Sequence, residues 1–110
     1  VHWYADPFVP AQVLTDTHDF LPDYFLLYTE ACTGFGPEDE NDVELGSWER
    51  GELYAINIMQ GLLHWVTGWV DWNMVLDPQG GPNWARQSAD APIIVDPTTD
   101  EFYKQPMFYM

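Results

Sequence analysis

Positive charge is scarce in this chain. Three basic residues stand against eighteen acidic ones, for a formal net charge of -15 at pH 7. Such a surface repels phosphate backbones and anionic membrane surfaces, which argues against nucleic acid as a partner. There is one cysteine, Cys32, so neither an internal disulfide nor a multi-thiolate metal site can form; on its own it reads as a small buried hydrophobe. No N-x-S/T acceptor for an N-linked glycan and no signal peptide are visible. The longest nearly apolar stretch, residues 61–70, falls well short of the ~18 residues of a membrane span.

Several site motifs are missing too. Ser47 and Ser88 sit in no G-x-S-x-G elbow, and Gly34 and Gly36 lack the third glycine of a dinucleotide loop. His2, His18 and His64 do not have metal-ligand spacing, and singly each is more often structural than a ligand. The acidic run of Glu38, Asp39, Glu40, Asp42 and Glu44 lacks the order of a calcium loop and reads as a solvated loop. These absences leave no metal and no organic cofactor implied.

What the chain has is aromatic side chains, 16% of its residues, with six each of Trp, Tyr and Phe. Aromatic faces suit either a deep core or a sugar site, where they cover the apolar patches of pyranose rings. Residues 1–4 read as the tail of a strand, ended by Pro7 and Pro10, and a short helix fits residues 11–18. Residues 24–28, Tyr-Phe-Leu-Leu-Tyr, form a continuous apolar run between Pro22 and Gly34, the pattern of a parallel strand covered on both faces, with Thr29 and Glu30 at its carboxyl end. From Ser47 to residue 63, Trp48, Ala55, Ile58, Met59 and Leu62 follow helical spacing, with Glu49 in the first turn. Residues 65–76 read as a further buried strand, followed by a glycine- and proline-rich loop over 79–90 and a short Ile93-Ile94-Val95 run. Pro106 suits the first turn of a last helix.

Strands alternating with helices predict an α/β fold with a parallel sheet, open or closed. In a closed (β/α)8 barrel, chemistry sits where strands end, and Tyr4, Glu30 and Trp72 all lie at such ends. Glu30 is the informative one, because an ionised carboxylate at the end of an apolar strand is costly unless something uses or pairs it. Pattern alone leaves open a catalytic carboxylate or a structural one held by a neighbouring donor. For Trp72 it leaves open sugar contact or core packing.

Longer strings carry more. His2-Trp3-Tyr4, Thr29-Glu30-Ala31-Cys32, Leu45-Gly46-Ser47-Trp48-Glu49-Arg50-Gly51, Gly68-Trp69-Val70-Asp71-Trp72-Asn73, Gly80-Gly81-Pro82-Asn83-Trp84 and Phe102-Tyr103-Lys104-Gln105-Pro106-Met107-Phe108-Tyr109 follow one another in the chain. In this order they resemble the glucosylceramidases (acid β-glucosidases) of glycoside hydrolase family 30, over essentially the whole chain. The resemblance implies that residues 1–110 are the C-terminal part of a (β/α)8 TIM-barrel catalytic domain, its last three βα units, with the upstream barrel and an accompanying β-sandwich absent. It implies a retaining β-glucosidase that hydrolyses glucosylceramide to glucose and ceramide in sphingolipid catabolism, in the lysosome or, alternatively, outside the cell. A membrane surface or an activator protein would be a further partner of the whole enzyme.

By the same resemblance Glu30 is the nucleophile, and His2, Tyr4 and Trp72 line the glucose subsite. Trp3 and Cys32 match positions near the pocket. Gln87, counted with the substrate-facing residues, stands where the family's lysosomal enzyme has an asparagine, a departure that bears on the aglycone. The acid/base glutamate of the family follows an asparagine, and no Asn-Glu dipeptide occurs here, so the segment alone is expected to be inactive. Two other readings are a noncatalytic carbohydrate- or lipid-binding remnant and a family member acting on another β-glycoside.

Overall fold

A computed structural model describes residues 1–35, 43–82, 84 and 88–110. The acidic residues Glu38, Asp39, Glu40 and Asp42, together with Gln87, lie outside the described residues. The elements are α1 (Gln12–Phe20), β1 (Leu26–Tyr28), α2 (Trp48–Leu63), β2 (Val66–Trp69), β3 (Val75–Leu76), β4 (Ile93–Asp96), β5 (Glu101–Lys104) and a closing 3-10 helix, Pro106–Tyr109. They fall into two compact units. The first comprises Val1–Ala31 and Ala55–Asp71, the second Cys32–Tyr54 and Trp72–Met110.

In the first unit β1 pairs in parallel with β2, Leu26 opposite Val66 and Tyr28 opposite Trp69. Two steps along β1 therefore match three along β2, the count of a bulge. Gly68 lies in the extra step, where a Cβ would come within 2.6 Å of Leu27 Cδ1. The opening residues add a further parallel rail: Thr29 N donates to Val1 O at 2.9 Å and Trp3 N to Glu30 O at 3.1 Å. Helix α1 buries Leu14 and closes where Leu21 N donates to the carbonyls of Thr17 and His18, just before Pro22. Nine residues are too few for a stable helix in isolation, so this one depends on its packing. His18, in its last turn, stacks flat on Trp65 with ring centroids 4.1 Å apart, and Thr15 Oγ1 shares a hydrogen bond of 2.8 Å with His64 Nδ1. Trp3, Leu14, Leu26, Tyr28, Ala31 and Val66 make the unit's apolar core.

In the second unit β3 runs parallel to β4, and β4 turns back antiparallel into β5, with Ile94 opposite Tyr103 and Asp96 opposite Glu101. The hairpin is set by Asp96, whose Oδ1 accepts from Thr98 N at 2.8 Å and Thr98 Oγ1 at 2.6 Å. These bonds hold the Asp96 carboxyl below the usual carboxylate range. Tyr54, Leu76, Ala89, Ala91, Ile94 and Met107 are buried around a polar node. Asp90 accepts from Arg50 and from Glu44 N (3.2 Å) on one oxygen, and from Gln105 Nε2 and Ala91 N (2.8 Å) on the other. Gln105 Oε1 in turn accepts from Gly46 N at 2.9 Å.

Five expectations change. Residues 65–76 are not one strand but two, β2 and β3, in separate sheets, because polar Asp71 and Asn73 interrupt the apolar run. The run 24–28 narrows to Leu26–Tyr28, with Tyr24 and Phe25 exposed. On α2 the buried line is Gly51, Tyr54, Asn57 and Gly61, whereas Trp48, Met59 and Leu62 are exposed. The helical period holds, but small and polar residues occupy the inner face, which a count of large apolar side chains cannot reveal. Strand β5 was not foreseen, since all four of its residues are exposed and only two are apolar. The final turn begins at Pro106 as expected but is 3-10 rather than α. No described helix is long and apolar enough to cross a membrane.

Candidate active site

Glu30 follows β1 by two residues, and the parallel rail sets His2 directly opposite it in an isolated bridge. His2 faces Glu30 from the rail, and the turn closed by Asp6 N on Trp3 O carries Tyr4 to the same carboxylate, while Trp3 goes to the buried side. The His2 Nδ1 lies 3.4 Å from Glu30 Oε1, and the Tyr4 hydroxyl donates to the same oxygen at 3.3 Å. The His2 and Tyr4 rings meet edge to face, with centroids 6.1 Å apart. The Glu30 side chain is 26% exposed and that of His2 55%, so the carboxylate is enclosed but reachable. Two residues of the opening segment thus converge on one oxygen of a carboxylate remote from them in the sequence.

Trp3, on the opposite side, is buried and stacks on Trp69 at 4.8 Å, while its Nε1 donates to Val70 O at 3.2 Å. Its geometry is that of an anchor for the residues on either side of it. Cys32 and Trp72 belong to the second unit, Cys32 as a buried side chain outside any disulfide and Trp72 half-exposed. Gln87 lies outside the described residues.

The sequence reading did not single out a second cluster of the first unit. The Tyr28 hydroxyl donates to Asp6 Oδ2 at 2.8 Å, the Asn57 side-chain amide donates to the same oxygen, and Trp69 Nε1 donates to Asn57 Oδ1 at 2.7 Å. Tyr28 is buried; desolvation, then the bond to Asp6 and that residue's negative charge, raise its phenol pKa well above the ordinary 10.0. Spacing was the available signal. Tyr28 lies two residues before Glu30, and Asp6 two after Tyr4.

The glycosyl hydrolase family 30 TIM-barrel domain model matches residues 1–110. A mouse protein, lysosomal acid glucosylceramidase, is 53% identical over 110 residues, covering 99% of this chain and 21% of its own length. The chain thus spans about a fifth of the curated relatives it matches. Among solved structures, that of SrfJ from Salmonella typhimurium superposes with a TM-score of 0.74 at 23% identity, over 90% of this chain and 21% of that one. The endo-beta1,6-glucanase BT3312 gives 0.65 at 19% identity, over 90% and 22%. At those identities the two structures speak for the fold, and the family match speaks for descent: the chain belongs to glycosyl hydrolase family 30, within its TIM-barrel domain.

Proposed function

We propose that these residues form the nucleophile-bearing part of a retaining β-glucosidase that hydrolyses glucosylceramide to glucose and ceramide. The observation that carries the reading is the Glu30 carboxylate at the end of a parallel strand, held on one oxygen by Tyr4 and His2. Family membership and the name of the mouse relative support the reaction and the substrate. In this reading residues 1–110 supply the last three βα units of a (β/α)8 barrel. The parallel order of the opening residues, β1 and β2 fits that place. So do the exposed Trp48, Ile56, Met59, Leu62 and Leu63 of α2, apolar surface that further barrel residues would cover.

Glu30 attacks the anomeric carbon through an oxocarbenium-like transition state and forms a glucosyl ester, while a second carboxyl group protonates the departing ceramide oxygen. Water then cleaves the ester, with that second group acting as base. Retention places the two carboxyl groups about 5 to 5.5 Å apart. The partner is supplied from outside these residues, and the segment by itself is inactive. Because Tyr4 and His2 both engage Oε1, Oε2 is the oxygen with lone pairs to spare for attack. Tyr4 steadies the carboxylate by donating to it, and by the family resemblance Trp72 offers its exposed ring to the sugar.

Lysosomal placement follows the mouse relative's name, and a membrane surface or activator protein would present the lipid substrate. A mechanism-based glucoside inhibitor tests the assignment in the complete enzyme. Peptide mapping should find the glucosyl adduct on Glu30; an adduct on any other residue would overturn it. Turnover of glucosylceramide against β-xylosyl polymers decides the substrate, a preference for the polymer pointing to a different glycoside within the family.

A further inference from the structure

Two segments must be aligned for Tyr4 to meet Glu30, and the sheet rail accounts for only part of that alignment. Trp3 N and Thr29 N fix residues 1–3 beside Glu30, but Tyr4 lies beyond the last of those bonds. The chain then turns, Asp6 N donating to Trp3 O at 3.2 Å, and brings Asp6 back over Tyr28. Tyr28 belongs to the strand that carries Glu30, and Asp6 to the turn that carries Tyr4. Their hydrogen bond of 2.8 Å is a second tie between the two segments, on the far side of Tyr4 from the first.

The Asp6 oxygen is itself fixed. Asn57, on α2, donates to it, and Trp69 holds Asn57 through Oδ1. The Trp69 ring then stacks on Trp3, so the chain closes on the residue next to Tyr4. Asn57 is buried, and each of these groups uses its polar atoms within the cluster. Meanwhile the Tyr4 to Glu30 bond, at 3.3 Å, is already longer than an ordinary O–H···O bond, so a small further displacement loses it.

We infer that Tyr28, Asp6, Asn57 and Trp69 form a positioning relay that holds the Tyr4 hydroxyl on the Glu30 carboxylate. None of the four touches the sugar; they act through Tyr4. The inference rests on Glu30 being the nucleophile.

A double-mutant cycle in the complete enzyme tests it. Tyr28→Phe removes one hydroxyl and keeps the ring, and should lower kcat about five-fold with KM nearly unchanged, the scale of one ordinary hydrogen bond. In a Tyr4→Phe background the same change should leave kcat where Tyr4→Phe alone has put it. Asp6→Asn, whose carbonyl still accepts from Tyr28, should retain most of the turnover that Asp6→Ala loses. If Tyr28→Phe does not fold, Trp69→Phe, which keeps an aromatic ring beside Trp3 and removes the Nε1 donor, runs the same cycle.

A lowered melting temperature with kcat unchanged would make the cluster merely structural and overturn the relay. So would equal losses in both backgrounds. Glu30→Gln separates the two ideas: an inactive Glu30→Gln with an unaffected Tyr28→Phe sinks the relay alone, whereas an active Glu30→Gln sinks the nucleophile reading.

Discussion

The Arg50 guanidinium donates to Oδ2 of Asp90, whose side chain is 0% exposed. That carboxylate is the hub of the second unit, joining α2, the residues before it and the closing 3-10 helix through Arg50, Glu44 N and Gln105. Asp90→Ala would strip partners from Gln105 and Arg50 at once, and loss of one member of a buried ion pair costs roughly 3 to 5 kcal/mol. The expected result is a large fall in the unfolding midpoint by denaturant titration. A change within about 0.5 kcal/mol, the range of an ordinary surface substitution, would show that Asp90 holds nothing together.

Tyr28 gives stability a dependence on alkaline pH. Its phenol pKa is raised in the folded state relative to the unfolded 10.0, by burial first and by Asp6 second. The folded form thus resists losing the proton, its advantage is complete below about pH 10, and it is lost as pH rises above that value. Melting temperatures of the parent and of Tyr28→Phe, compared from pH 7 to 11, should show the parent falling more steeply above about pH 10. Parallel curves would contradict the linkage.

Gly80 has φ +75°, and a Cβ there would meet Ala89 O at 2.6 Å and Ala89 N at 2.8 Å. Both the backbone conformation and the space exclude a side chain, and the obstruction is backbone that cannot swing aside. Gly80→Ala should destabilise by about 1 to 3 kcal/mol. Thermal denaturation checks this, and an unchanged midpoint would mean that the loop relaxes freely.

Glu30→Gln keeps the shape of the side chain and removes its charge. In the complete enzyme kcat should fall by at least ~10³-fold, as for other lost nucleophiles, while binding of a competitive glucose analogue changes by less than about ten-fold. Steady-state kinetics and calorimetric titration measure the two quantities. Loss of binding in step with turnover would point to a structural carboxylate.

Trp72→Ala should act mainly on substrate binding. Removing an aromatic face from a sugar costs on the order of 1 to 2 kcal/mol, so KM should rise about ten-fold with a smaller change in kcat. An unaltered KM would return Trp72 to the role of a packing residue.

Local order was enough to place α1, β1, α2 and the Ile93 run, because apolar period and the punctuation by Pro22 and Pro106 act within a few residues. Glu30 was legible for a related reason: a charge ending an apolar strand contradicts its surroundings and asks for an explanation. The motif strings then named the family. Their inner residues were a different matter. Arg50 and Gln105 belong to strings quoted for the resemblance, yet their bond partner Asp90 lies in neither string, and pairing across 40 and 15 residues leaves no mark in either stretch alone.

What the amino-acid order settled by itself was where α1, β1, α2 and β4 lie, the acidic and aromatic character and the presence of a carboxylate just after an apolar strand, since each is decided by neighbours along the chain. The tertiary structure decided which face of α2 is buried, where the apolar stretch after residue 64 breaks into two sheets, and which groups converge on Glu30. Those outcomes depend on contacts between residues remote in sequence. Tyr4 and Glu30 are 26 positions apart, and the parallel rail between their segments, with the Tyr28 to Asp6 bond beyond it, makes them neighbours.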